Sequence, residues 1–348
     1  MTAQATHSPP TSGAPTMSTT AAAVPKVQSR TSPSVRDRLR RIGSGTGGPF
    51  IGLLALCLAL FIATPFFLTV NNLLNVLDQV TILGILAVGM TFVIVTGGID
   101  LSVGSVLALS TMVLGWTSHN GWPLWLSIVA AVLIGGLCGL ASGLGITLTR
   151  LPPFIATLAM LSIARGLANV ITDGQQIVGY PTWFTGLSTE RYFGFLTVTT
   201  LALVLLLVAG WAFLRYRPGG RSLYAIGGSR EVARLAGINV KAATAGVYAV
   251  MGLLSGVAGV ALAARLDSSQ PSAASGLELD VIAAVVIGGA SLSGGVGRIP
   301  GTIVGVLIIG VLRNGLNLLS VSPFVQQVVI GVVIALAVMV DVLRRRAA

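Results

Sequence analysis

The sequence predicts an all-α, polytopic membrane protein with about ten transmembrane helices and both termini cytoplasmic, on three observations. Only 9% of the 348 residues are charged and 54% are hydrophobic, against about 25% charged in soluble domains. The apolar residues fall in blocks of about 20, the length that crosses a hydrocarbon core roughly 30 Å thick. The Arg and Lys residues gather at the ends of those blocks, as the positive-inside bias requires.

Residues 1–46 are rich in Ser, Thr, Pro and Ala and then basic, with Lys26, Arg30, Arg36, Arg38, Arg40 and Arg41. Such a stretch buries too little apolar surface to fold, so a disordered cytoplasmic tail is expected. It is long for a cleaved signal peptide, and Met17 offers an alternative start.

The spans expected are 48–68, 80–96, 102–118, 123–148, 153–171, 195–214, 242–264, 277–292, 300–319 and 323–340, within a transmembrane domain of residues 47–343. With the N-terminus inside, alternation puts Arg150, the segment 215–241, Arg298 and the basic C-terminus 344–348 inside as well. Arg191 and Arg265 fall outside, and Arg165 and Arg313 lie within spans. Glycines four apart (Gly135, Gly139 and Gly143; Gly252 and Gly256; Gly301 and Gly305) predict close helix packing.

The segment 215–241 is the long charged interruption between apolar blocks. Within it Ser229 is placed to cap a two-turn helix, Glu231 to sit at the positive end, Arg234 at the negative end, and Gly237 to take a left-handed conformation after it. Gly219-Gly220 and Gly227-Gly228 punctuate the approach. So short a helix is unstable alone. It either lies on its own domain or on lipid headgroups, or it docks a cytoplasmic protein.

Four positions recur at an offset of 148 residues: Arg150 and Arg298, Pro152 and Pro300, Arg165 and Arg313, Asn169 and Asn317. Each inner Arg lies about 22 Å along its helix from the first, and each Asn shares its face. The two pairs are either snorkelling arginines with interfacial amides or one wall of an outward-facing vestibule. The repeat itself reads as a trace of duplication or as chance.

Asp100, in Thr96-Gly-Gly-Ile-Asp-Leu-Ser102, either caps the helix that follows or serves as a carboxylate on the substrate path. A turn of similar composition follows the eighth span, Gly288-Gly-Ala-Ser-Leu-Ser-Gly-Gly295.

Several function classes are excluded. Lys26 and Lys241 are the only lysines, and neither stands in a phosphate-binding loop. ATP, if used, must be bound by another subunit, so no cofactor is expected in this chain. His7, His119, Cys57 and Cys138 form no metal-ligand spacing, and no base–nucleophile pair suggests an enzyme. The net charge of +11 lacks the aromatic interleaving of nucleic-acid binders. An ion-coupled secondary transporter using Asp100 or Asp280 is the alternative.

The stretches VGMTFVIVTGGIDLSVGSVLAL (Val88–Leu109), PPFIATLAMLSIARGLA (Pro152–Ala168), GRSLYAIGGSREVARLAGI (Gly220–Ile238) and ELDVIAAVVIGGASLSGGVGRIPGTIVGVLIIGVLRNGLNLL (Glu278–Leu319) resemble the membrane permease subunit of bacterial ribose-type sugar ABC importers. The resemblance runs in order from about residue 50 to 342. It implies the ABC importer permease fold, an inner-membrane location and a homodimer. It also implies a cytoplasmic ABC ATPase and an extracytoplasmic sugar-binding protein as partners. On it, Gly228 to Gly237 would form the segment that contacts the ATPase, with Arg221, Arg230, Glu231 and Arg234 as the contacting charges. Asp100, Arg165, Asn169, Arg313 and Asn317 are the candidates for the translocation path.

Overall fold

Apolar runs bounded by Gly, Pro and charged residues become helices throughout residues 47–346, the part of the chain that the computed structural model describes. The expected N-terminal tail and the last two residues lie outside the described residues. The helices are α1 (Gly47–Ala63), α2 (Val70–Val95), α3 (Val103–His119), α4 (Leu124–Leu148), α5 (Pro153–Val170), α6 (Thr182–Thr189), α7 (Val198–Tyr216), α8 (Pro218–Gly228), α9 (Arg230–Leu235), α10 (Val240–Leu266), α11 (Leu277–Ile287), α12 (Ile299–Leu318) and α13 (Pro323–Arg346). Two short strands, β1 (Ile177–Val178) and β2 (Ser268–Ser269), pair antiparallel.

By length and composition α2, α4, α5, α7, α10 and α12 can each cross a membrane. The helix α1 and the Pro323–Leu336 part of α13 are shorter apolar segments. The eighth expected span stops early: α11 has 11 residues, about 16 Å of helix. Gly289, Gly294 and Gly295, all at positive φ, then turn the chain.

The second expected span proves longer, starting at Val70 rather than Val80. Its polar first turns look like loop in the sequence, but the two polar residues turned inward, Asn72 and Asp78, find partners. Asn72 and Asn314 exchange side-chain hydrogen bonds at 3.0 and 2.7 Å, and Asp78 pairs with Arg191 at 2.6 Å. Polar groups so satisfied are compatible with a buried helix.

The core forms around α2, which is buried along nearly all of Val80–Thr96 by α7, α10, α11 and α12. A helix apolar on every side is one that its neighbours surround. The expected glycine seams are present. A Cβ on Gly139 or Gly252 would overlap the facing backbone of α10 or α4, and one on Gly305 would overlap the Ala284 carbonyl of α11. Backbones at that distance require the smallest residue.

The loops gather at two ends. At one, β1 and β2 pair, the Tyr180 amide donates to Asp267 Oδ1 (2.9 Å), and Ser188 on α6 bonds the Ala261 carbonyl. At the other, the Gly295 amide donates to the Val95 carbonyl (2.9 Å) and Tyr224 Oη to the Gly297 carbonyl (2.7 Å).

Candidate functional site

The segment after α7 is more helical than its glycines suggest. Pro218 opens α8, and the helix runs through both Gly-Gly pairs to Gly228. The pairs that punctuate the approach in sequence thus lie within the helix, and two of the glycines serve close approach. Gly220 lies against the Phe213 and Leu214 backbone, and Gly227 against the Val95 carbonyl and the Gly295 amide.

The six-residue α9 has the caps the sequence suggests. Ser229 Oγ accepts from the Val232 amide at 3.3 Å, and Gly237 adopts φ 82° after the C-terminus. Arg234 and Glu231 pair at 2.6 Å with both side chains 67% exposed. The hydrogen bond and charge of Arg234 hold the Glu231 carboxyl below the usual carboxylate range. Only Ala233 is buried; Val232 and Leu235 are 64% and 75% exposed. A helix this short needs packing, yet α9 points two apolar side chains and an ion pair away from the bundle. Val232 and Leu235 were missed by sequence reasoning. The signal was available, since a two-turn helix with one small buried residue must leave its larger apolar residues outside.

Three distant turns meet beneath α9. They are the break at Gly97 between α2 and α3, the end of α8 at Gly227, and the turn at Gly294 before α12. A Cβ on Gly294, itself at φ 86°, would stand 2.8 Å from the Gly227 carbonyl and 2.9 Å from Gly97 Cα. The resemblance in composition between the two Gly-Gly turns thus has a spatial counterpart.

Asp100 is 2% exposed, and its Oδ1 accepts from the Ser102 amide (2.8 Å) and Ser102 Oγ (2.6 Å). It therefore closes the turn that starts α3. The preceding Ile99 carbonyl accepts from Tyr248 of α10 and Thr157 of α5, both at 3.3 Å.

The two arginines of the repeat are not equivalent, but they act on one segment. Arg165 donates to the Pro271 and Ala273 carbonyls at 2.5 and 2.9 Å. Arg313 pairs with the buried Asp280 on α11. Both are tied down, so neither is a freely snorkelling side chain. Asn169 donates back to the Arg165 carbonyl, whereas Asn317 accepts from Gln326 of α13 at 2.8 Å. No group of three or more His, Cys, Asp and Glu suited to a metal occurs among the described residues.

Residues 72–338 match the family described as "Branched-chain amino acid transport system / permease component". The ribose import permease of Bacillus subtilis is 49% identical over 295 residues, covering 84% of this chain and 92% of the relative. That of Escherichia coli K12 is 44% identical over 297 residues, with the same coverage. The D-allose permease of Escherichia coli K12 is 37% identical over 292 residues, covering 83% and 89%. No solved structure matches. The chain belongs to this permease family and is a multi-pass protein of the inner membrane; it is a transport subunit, not an enzyme.

Proposed function

We propose that this permease component is the translocating subunit of an ATP-binding-cassette importer for a monosaccharide of the ribose type or a related polyol. The family description names branched-chain amino acids, but the curated relatives at 44–49% identity are ribose permeases. Ten crossings are proposed, made by α1–α5, α7, α10, α11 with its turn, α12 and α13, with both termini in the cytoplasm. The clustering of basic residues in 215–241 supports that orientation.

The observation that carries the function is α9. Its exposed Val232 and Leu235, beside the Glu231–Arg234 pair, form a small apolar and charged knob on a chain in which no lysine stands in a phosphate-binding loop. A cytoplasmic ATPase subunit is the proposed partner, with Arg230, Glu231 and Arg234 as contacts, Arg221 at the edge, and Gly228 and Gly237 bounding the helix. ATP-driven movement of the knob is transmitted through Gly227 to Val95 and Gly295, and so to the breaks flanking α3 and α12. Such packed junctions move as discrete rearrangements. Two copies of the chain would enclose the path, and an extracytoplasmic binding protein would deliver the sugar, which passes without covalent change.

The candidate path residues act here as positioning groups. Asp100 holds the break before α3, while Arg165 and Arg313, with Asn169 and Asn317 beside them, hold the segment from Pro271 to Asp280 at the opposite end. Both carboxylates named for an ion-coupled alternative are engaged, Asp100 by Ser102 and Asp280 by Arg313. The test is uptake of a labelled panel of pentoses, hexoses and inositols into proteoliposomes carrying all subunits. ATP-dependent uptake of one class is expected. Uptake driven by an ion gradient with no ATPase present would overturn the proposal in favour of a secondary transporter.

A further inference from the structure

A cleft of about 840 Å³ lies beside α8, between the end of α7 and the turn leading into α12. Its volume is that of a small-molecule site. Three arginines from three separate stretches of chain line it, Arg215, Arg221 and Arg298, and no lining residue is acidic. Among the described residues, none of the ion pairs involves these three. Guanidinium groups gathered without a carboxylate repel one another, and a shared anion relieves that repulsion.

The rest of the lining says which anion. Trp211 lies one helical turn deeper along α7 than Arg215, and Trp211 and Tyr216 meet edge to face with centroids 5.4 Å apart. Pro300, in the first turn of α12, follows Arg298 into the bundle. The cleft therefore runs from arginines at the water end to an indole and apolar helix surface at the membrane end. Aromatic rings of this kind mark the headgroup level. That gradient matches an amphiphile and has no use for a free phosphate ion.

We infer that this cleft binds an anionic phospholipid of the surrounding leaflet, with the phosphodiester held by Arg215, Arg221 and Arg298 and the acyl chains lying along Trp211. Basic pockets between membrane helices take anionic headgroups in this way. The inference requires only that this end of the bundle meets a bilayer surface, and it shares one residue, Arg221, with the edge of the proposed ATPase contact. It separates Arg221 from the charges on α9: Arg221 faces lipid at the foot of the lever, where a bound headgroup restrains α8.

The test is native mass spectrometry of the full chain, purified from nanodiscs of phosphatidylglycerol and phosphatidylcholine and stripped stepwise with detergent. The wild type is expected to retain phosphatidylglycerol selectively. The triple variant Arg215→Gln, Arg221→Gln, Arg298→Gln should bind it at least about tenfold more weakly, since each surface cation contributes several-fold. A control with equal charge loss elsewhere, Arg150→Gln, Arg217→Gln, Lys241→Gln, should retain it. Should the triple variant fold poorly, the intact arginines are read instead through Trp211. In a chain with Trp116, Trp122, Trp125 and Trp183 changed to Phe, brominated phosphatidylglycerol should quench Trp211 more than brominated phosphatidylcholine. Equal retention of the two lipids, equal loss in the charge control, or displacement by millimolar inorganic phosphate would each overturn the inference. So would a triple variant that keeps its lipid but no longer binds the ATPase subunit, because the cleft would then be a protein contact.

Discussion

The Gly295 amide donates a hydrogen bond to the carbonyl of Val95 at 2.9 Å, joining residues two hundred positions apart at the point where Gly227 closes over them. This bond links the last turn of α2 to the entry of α12, and α8 rests directly on it. The lever proposed for α9 runs through that contact to two breaks in the bundle.

Gly227→Val should therefore separate ATP turnover from transport. Its side chain would enter the space of the Val95 carbonyl and the Gly295 amide, an overpacking that costs about 1–3 kcal/mol. The expected result is normal membrane abundance with a lowered melting temperature in detergent and little sugar uptake per ATP hydrolysed. Wild-type coupling in this variant would remove Gly227 from the lever.

The knob on α9 should bind through its apolar residues. Val232→Ser with Leu235→Ser changes exposed side chains only, so stability should move by less than about 0.5 kcal/mol. Co-purification of the ATPase subunit should nonetheless fall sharply. Reversal of Glu231 and Arg234 together keeps their ion pair and separates helix stability from recognition. Because the Glu231 carboxyl is held below its ordinary value, that pair is present at neutral pH and is lost as pH falls through the lowered value.

Asp280 and Arg313 should show strong non-additivity. Removing Arg313 leaves a carboxylate that is 1% exposed without its counter-charge, a change worth about 3–5 kcal/mol. Arg313→Met should destabilise far more than the double variant Asp280→Leu, Arg313→Met. Thermal unfolding in one detergent, run as a double-mutant cycle, reads the difference.

Sidedness has a direct assay. Ser229→Cys at the exposed cap of α9 should react with a membrane-impermeant maleimide only in inside-out vesicles. Phe193→Cys, at a site 89% exposed at the other end of the bundle, should react only in right-side-out ones. The opposite pattern would place α9 outside the cell and sink the ATPase contact.

Features carried by neighbouring residues were legible in the chain itself. The caps of α9 depend on Ser229, Glu231, Arg234 and Gly237, all within nine residues, and the close approach of α4 to α10 shows in their glycine spacing. Other readings went astray where polarity was mistaken for a loop. The start of α2 carries Asn71, Asn72, Asn75 and Asp78, and the distant Asn314 and Arg191 hold Asn72 and Asp78 against the bundle. Gly219-Gly220 and Gly227-Gly228 looked like punctuation before the short helix, yet both pairs lie inside α8. In place, Gly220 and Gly227 are the residues that let α8 touch other backbone.

The sequence by itself determined that this is a bundle of membrane helices with a capped, charged segment between them, because hydropathy, capping and charge bias are local and add along the chain. Only the tertiary structure decided what that segment rests on and what the arginines hold. Arg165 meets carbonyls more than a hundred residues away, Arg313 meets Asp280, and Gly97, Gly227 and Gly294 share one junction. Those pairings follow from how the helices pack in three dimensions, and spacing along one helix carries no record of its neighbours.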